Sequence, residues 1–261
     1  MKKAPGKSRA LFYIFFTCAA TFLCYNKNLS IFDEKVGKSM TFQLEESLGI
    51  YQAAVKRAFG SRVEFIGLQG SYQRGEAHPG SDLDLVLILD TVDFKDIKTY
   101  KGLIAEMPFS ALACGFISGA AELLAWPKAD LFQFVNDTRP LYGDLAKILP
   151  PLTRAEVAEA FRTGAANLYH AACHSYLFEA GGGEAVKGLY KMLFFVMQAK
   201  YMLENAVYLP TKKELLEHLE GEDAMLLRIS LGEEPIADVS PYYDRLIRWC
   251  SQALRAVTEN S

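Results

Sequence analysis

Two aspartates, Asp82 and Asp84, stand two residues apart at the head of the apolar run Leu85-Val-Leu-Ile-Leu89, just after the glycine- and serine-rich stretch GSYQRGEAHPGS that begins at Gly70. A short apolar run bounded by turn residues predicts a buried strand. On a strand, residues two apart leave the same face, roughly 7 Å apart along the backbone. Two carboxylates on one face can hold Mg²⁺, and glycines let backbone N–H groups approach phosphate oxygens. The chemistry this spacing suits is the handling of a metal-bound polyphosphate.

The elements around the pair follow from periodicity. Residues 41–59 carry Phe42, Leu44, Leu48, Tyr51, Val55 and Phe59 at helical spacing, and Gly60 ends them. Residues 63–68 predict a short buried strand, 82–90 a second, 94–107 a helix stopped by Pro108, and 113–118 a third strand. A short helix is expected over 120–126 and a fourth strand over 131–135 (LFQFV), followed by the turn-rich NDTRPLYG. Beyond Pro150-Pro151 the pattern becomes helical, over 154–180, 185–205, 212–220 and 242–258. Thr153 and Glu156 fit a capping box, and Gly181-Gly182-Gly183 a hard stop. The expected fold is α+β: a small mixed sheet backed by helices over 40–150, then an all-α, four-helix-bundle-like domain over 151–261, with 1–39 as an apolar N-terminal extension.

Composition bounds the rest. The chain has 261 residues, 51% hydrophobic, with a formal net charge of −3, so charge gives no argument for nucleic acid as a partner. Five cysteines, Cys18, Cys24, Cys114, Cys173 and Cys250, show no zinc or CxxC spacing and fit a reducing, cytoplasmic compartment. Against this, Lys2, Lys3, Lys7 and Arg9 precede the apolar run 10–25, like a signal-peptide core or short anchor. The run is shorter than the roughly 20 residues of a comfortable transmembrane helix. A secretion or anchor signal, a true start at Met40 and a peripheral helix stay open. Met40 is favoured, because a phosphate-handling site needs cytoplasmic nucleotide. A membrane partner is expected only if 10–25 is genuine.

The segment 70–84 resembles the signature of the polymerase-beta-like nucleotidyltransferase superfamily: Gly70-Ser71, then Gly75, then Ser81-Asp82-x-Asp84. The layout, with a helical bundle after the two-aspartate domain, is similar to bacterial aminoglycoside nucleotidyltransferases. The resemblance implies one or two Mg²⁺ ions on Asp82 and Asp84 and a nucleoside triphosphate, ATP first, as co-substrate. It also implies attack on the α-phosphate by a hydroxyl of a small-molecule acceptor, with pyrophosphate leaving. Gly70, Ser71 and Ser81 would then serve the phosphates or orient the aspartates, and Arg74 would neutralise triphosphate charge or stand solvated in the loop. In the bundle, Lys200 and Lys213, thirteen residues apart, match the spacing of an arginine and a lysine that approach the ATP phosphates in the aminoglycoside enzymes.

The resemblance also exposes a departure. The superfamily places a third acid on the next core strand, where this chain has Cys114 and Gly115. Asp130 is the substitute catalytic acid expected here, with Glu122 second. His170 and His174, four apart on one helix, could bind a metal but lack a third ligand, and fit a bundle or cleft position better. Trp126, Trp249 and Leu193-Phe-Phe-Val-Met197 fit the core. Two rival readings accompany the small-molecule transferase: a protein adenylyltransferase of antitoxin type, and a module that binds nucleotide without transfer.

Overall fold

The computed structural model describes residues 43–178, 182–232, 236 and 238–259; the segment 10–25 and Met40 lie outside them. Helix α1 (Leu44–Phe59) buries Leu48, Tyr51, Val55 and Phe59 on one stripe. A 3-10 turn leads into β1 (Val63–Gln69), the short helix α2 (Gly70–Arg74) and β2 (Leu83–Leu89). Then come α3 (Phe94–Ala105), β3 (Ala113–Gly119), α4 (Ala120–Leu124), α5 (Lys128–Asn136) and β4 (Arg139–Tyr142). The strands lie in the order β3-β2-β1-β4. β1 pairs antiparallel with β2 and β4, while β2 and β3 run parallel through the α3 crossover.

The two-residue period of β2 sorts its side chains between two cores. Leu83, Leu85, Leu87 and Leu89 join Leu48, Tyr51 and Val55 of α1 on one face of the sheet. Val86 and Ile88 join Phe65, Leu123, Leu131 and Phe134 on the other. Asp84 belongs to the second series, so it opens at the end of the face that α5 covers. Both faces are covered, which is why β2 reads as a continuous apolar run rather than an alternating one.

Two expectations are corrected. LFQFV is not a strand; it lies within α5. Leu131 and Phe134 face the sheet core while Phe132 enters the helical core, so this helix is apolar on two sides. The fourth strand instead comes from RPLY, four residues in the stretch expected to be turn. It holds an edge of the sheet, where Pro140 costs no ladder hydrogen bond on the open side.

After Pro150-Pro151 come α6 (Arg154–Phe178), α7 (Gly183–Asn205), α8 (Lys212–His218), α9 (Gly221–Ser230) and α10 (Ser240–Glu259), five described helices where four were expected. The expected capping box forms ahead of α6: Thr153 N–H donates to Glu156 Oε2 at 2.7 Å, and Glu156 N–H donates to Thr153 Oγ1 at 3.3 Å. The helices close around Leu168, Leu193, Phe194, Met197 and Trp249. Trp126 packs edge-on against Phe116 at 5.0 Å on the sheet side. His170 and His174 neighbour each other on α6 with ring centres 6.1 Å apart. Among the described residues no helix is long and apolar enough to cross a membrane.

Candidate active site

The site begins where β1 ends. Gly70 has φ of 73°, and a Cβ at this position would fall on Asp84 Oδ2, so the Asp84 carboxylate lies directly against the Gly70 backbone. Only glycine meets both demands, left-handed backbone and no side chain. The next turn is α2, capped by Gly75 at φ 71°. The loop after it is shaped by Ser81, which is buried. Its Oγ accepts the His78 N–H at 2.9 Å, and its own N–H donates to the His78 carbonyl at 2.8 Å. Ser81 thereby fixes the approach to Asp82, which is half-buried one residue ahead of β2. Ser71 lies in the first turn of α2, its carbonyl accepting the Glu76 N–H at 2.8 Å.

Burial, and after it the charge of Asp82, pushes the Asp84 carboxyl up to about 7; Arg74 and Lys191 pull the other way. A buried carboxyl whose ionisation a neighbouring carboxylate opposes fits a divalent cation, which would stabilise its charged form. Among the described residues no group of three or more His, Cys, Asp or Glu is placed to hold a metal. Two aspartates alone would suit Mg²⁺ only with phosphate oxygens and water completing its shell.

Arg74 is not a solvated loop residue. Its side chain is 8% exposed. Its Nε donates to Glu76 Oε2 at 3.0 Å, a terminal nitrogen donates to Asp137 Oδ2, and its guanidinium stands 5.8 Å from the Phe195 ring centre on α7. Burial works against the Arg74 charge, and Asp137 and Glu76 more than offset it. Asp137, the residue that ends α5, is pushed up to about 6 by burial, with Arg74 opposing.

Residues 51–131 match the nucleotidyltransferase domain family. That stretch is similar to nucleotidyltransferase domains. The fold of the chain is similar to that of the spectinomycin adenyltransferase AAD(9) from Enterococcus faecialis, crystallised with ATP and spectinomycin, at 14% identity and a TM-score of 0.53 over 81% of this chain and 99% of that one. A toxin-antitoxin crystallised with AMP-PNP also matches, at 17% identity and a TM-score of 0.28 over 49% of this chain and 94% of that one. So does a mutant of the toxin-antitoxin MntA-HpeT, at 14% identity and a TM-score of 0.27 over 53% and 97%. No curated protein matches the sequence.

The nucleotidyltransferase domain meets the helical part at a set of cations that differs from the expected pair. Lys200 on α7 donates to Asp223 Oδ2 at 2.7 Å and pairs with Glu204 at 3.2 Å. Asp223 in turn accepts the Trp249 Nε1–H at 2.6 Å, so Lys200 is built into the packing of α7, α9 and α10. Lys213 is exposed in the first turn of α8. The lysine whose charge is felt at Asp84 is Lys191, and Lys212 lies within reach of the charges of Lys191 and Arg74. Lys191, exposed on α7, acts on Asp84. Lys212 is held down first by burial, then by the like charges of Lys191 and Arg74, against Glu76. Its ammonium donates to the Ser230 carbonyl at 2.7 Å. Arg74 and Lys191 thus bring positive charge to a pair of acids, an arrangement that would attract a polyanion bridged by a cation.

No sequence pattern singles out Lys191 or Lys212. The one available signal was the capping box Thr211-x-x-Glu214, which fixes the start of α8 and hence Lys212 at its first position.

The third-acid expectation meets a similar rearrangement. The parallel register sets Cys114 beside Asp84 and Gly115 beside Leu85. Gly115 has φ of 140°, and a Cβ there would collide with the Leu85 carbonyl. With LFQFV helical, Asp130 does not open a strand. It is buried in the first turn of α5, seven residues or about 10 Å of helix before Asp137. The charge of Asp137 is felt at Asp84. Glu122 stands in the first turn of α4, its carboxylate against Gly119.

Proposed function

We propose that the chain transfers AMP from ATP to a hydroxyl of a small molecule, of the aminoglycoside class, with Mg²⁺ as cofactor and release of pyrophosphate. The observation that carries this is the Asp84 carboxylate against the Gly70 backbone, two residues after Asp82, with the charge of Lys191 from the helical part felt at it. The fold shared with an adenyltransferase crystallised with ATP and spectinomycin supports the choice of nucleotide and acceptor class.

In this reading Asp82 and Asp84 hold the metal, which when bound neutralises charge on the triphosphate and on departing pyrophosphate. The α2 backbone, Gly70 and Ser71, and the side chains of Lys191 and Lys212 bind the β- and γ-phosphates. The acceptor oxygen attacks the α-phosphorus, the bond to the bridging α–β oxygen breaks, and the hydroxyl proton leaves to solvent or a neighbouring base. The acceptor enters between the sheet and the helical part. A nucleoside triphosphate co-substrate places the work in the cytoplasm.

The test is pyrophosphate release from ATP and Mg²⁺ with a panel of aminocyclitols and aminoglycosides that includes spectinomycin. Turnover with one of them, abolished in Asp82→Ala and Asp84→Ala, is the expected result. Cys114 in place of an acid beside Asp84 favours one second reading, a nucleotide-binding module. Nucleotide binding with no turnover on any acceptor would establish it. Transfer of label from ATP to a protein alone would point instead to protein adenylylation.

A further inference from the structure

The loop that carries the signature is tied to the helical part through one side chain. Glu76 Oε2 accepts from Arg74 Nε at 3.0 Å, and Glu76 Oε1 accepts the backbone N–H of Lys212 at 3.1 Å. Lys212 is the first residue of α8, and its N–H is one that a helix start leaves without an intrahelical partner. Arg74 is held from its other side by Asp137 at the end of α5. A single chain of charged contacts therefore runs from α5 through α2 to α8. Its last link grips the backbone of a lysine whose ammonium lies 5.8 Å from the Phe194 ring centre, among the charges of Lys191 and Arg74.

We propose that Glu76 is a positioning residue for the triphosphate: by holding the start of α8 against the signature loop it sets Lys212 over the phosphate site, so that nucleotide affinity depends on a carboxylate that never touches nucleotide. Glu76 suits this role and not direct phosphate contact, because a carboxylate beside a polyanion repels it. Both of its oxygens are already committed to donors on two different elements. Thr211 and Glu214 form a capping box that keeps α8 helical by itself, so the Glu76 contact is left to fix where that helix sits. The inference rests on the nucleotidyl-transfer reading for its phosphate half. The contact between the two elements stands apart from it.

The full-length chain is used for both halves of the test. Amide hydrogen exchange at the start of α8, measured without nucleotide, reads the contact. Glu76→Ala should speed exchange at Lys212, while Glu76→Gln, which keeps an acceptor oxygen, should restore most of the protection. Unchanged exchange in Glu76→Ala overturns the proposal. Binding of a fluorescent ATP analogue with Mg²⁺ reads the consequence. Glu76→Ala should weaken it roughly tenfold, with Glu76→Gln in between. In a double-mutant cycle with Lys212→Ala the two losses should not add. A merely structural role would lower the melting temperature and leave binding at 20 °C unchanged, and that result, or fully additive losses, overturns the positioning role. Wild-type protein that shows the exchange effect but binds no nucleotide would sink the transfer reading and the phosphate half of this inference together, leaving only the contact.

Discussion

The carboxylate of Asp84 lies against the backbone of Gly70, so closely that Gly70 has no room for a side chain. The first and last residues of the 70–84 signature are thus in contact, although a helix and a loop separate them in sequence. The missing side chain of Gly70 is what gives Asp84 its place.

Gly70→Ala should accordingly behave as an Asp84 mutation. The left-handed backbone adds about 1–2 kcal/mol of strain, and the methyl group must push the carboxylate off its place. A melting temperature lowered by several degrees and Mg²⁺-dependent pyrophosphate release reduced at least a hundredfold are expected. Full activity in a folded Gly70→Ala protein would show that the aspartate position is not set by this contact.

Asp84 also makes stability depend on pH in a defined direction. Its carboxyl is harder to ionise in the fold than in the unfolded chain, because of burial and then Asp82. Below about pH 4 it is protonated in both states. As pH rises toward 7 the unfolded chain ionises first, so the folded state loses relative stability; above about 7 the loss is complete. The bound on this loss is about 4 kcal/mol, from a shift of about three pH units at about 1.4 kcal/mol each. In chelator, Asp84→Asn should match wild type at pH 4 and melt higher by pH 8. Saturating Mg²⁺ at pH 8 should raise the wild-type melting temperature and leave the variant's alone. The wild-type curve is the discriminating measurement, and a difference that shrinks with rising pH would contradict the sign.

The lysines separate by function. Lys191→Ala and Lys212→Ala should each raise KM for ATP about tenfold. Lys200→Ala should instead release Asp223 and lower the melting temperature by a few degrees with little change in KM. Lys213→Ala should do neither. Steady-state kinetics beside thermal melts of the four variants decides, and a large KM effect confined to Lys200 and Lys213 would restore the spacing argument.

The two α5 acids should differ as sharply. Removing the charge of Asp137 leaves buried Arg74 with only Glu76, and breaking a buried pair of this kind costs about 3–5 kcal/mol. Asp137→Asn should melt far below wild type. Asp130→Asn should keep transfer within about threefold, measured as pyrophosphate release at saturating ATP; abolition of transfer in a folded Asp130→Asn protein would make it the third catalytic acid.

The parts of this molecule legible in sequence are those that local pattern controls. The β1-loop-β2 unit with its two aspartates, the Thr153–Glu156 cap and the long helices α6 and α7 follow from periodicity and capping chemistry. LFQFV misleads because a helix clamped between two apolar surfaces loses the polar face by which helices are recognised, and five residues then alternate as a strand would. RPLY misleads in the opposite way, since a four-residue edge strand carrying proline has little strand character of its own and is recruited by β1. Which lysines face the site is not legible for a third reason. A charged residue on a helix surface carries no local mark of what it will face, and Lys212 differs from Lys213 only by the turn of α8.

Helix α5 has one further consequence. It precedes Pro150-Pro151 in the chain, yet Phe132 belongs to the core of the helices that follow, while Leu131 and Phe134 belong to the sheet. The proline pair is therefore a poor place to cut for exchanging acceptor specificity between relatives. A graft joined there would pair a new bundle with a foreign helix and leave a phenylalanine-sized mismatch at the seam. A chimaera that carries α5 together with its bundle keeps that fit but must rebuild the packing on the sheet, so the sheet and the helical part of this protein are bound to change together.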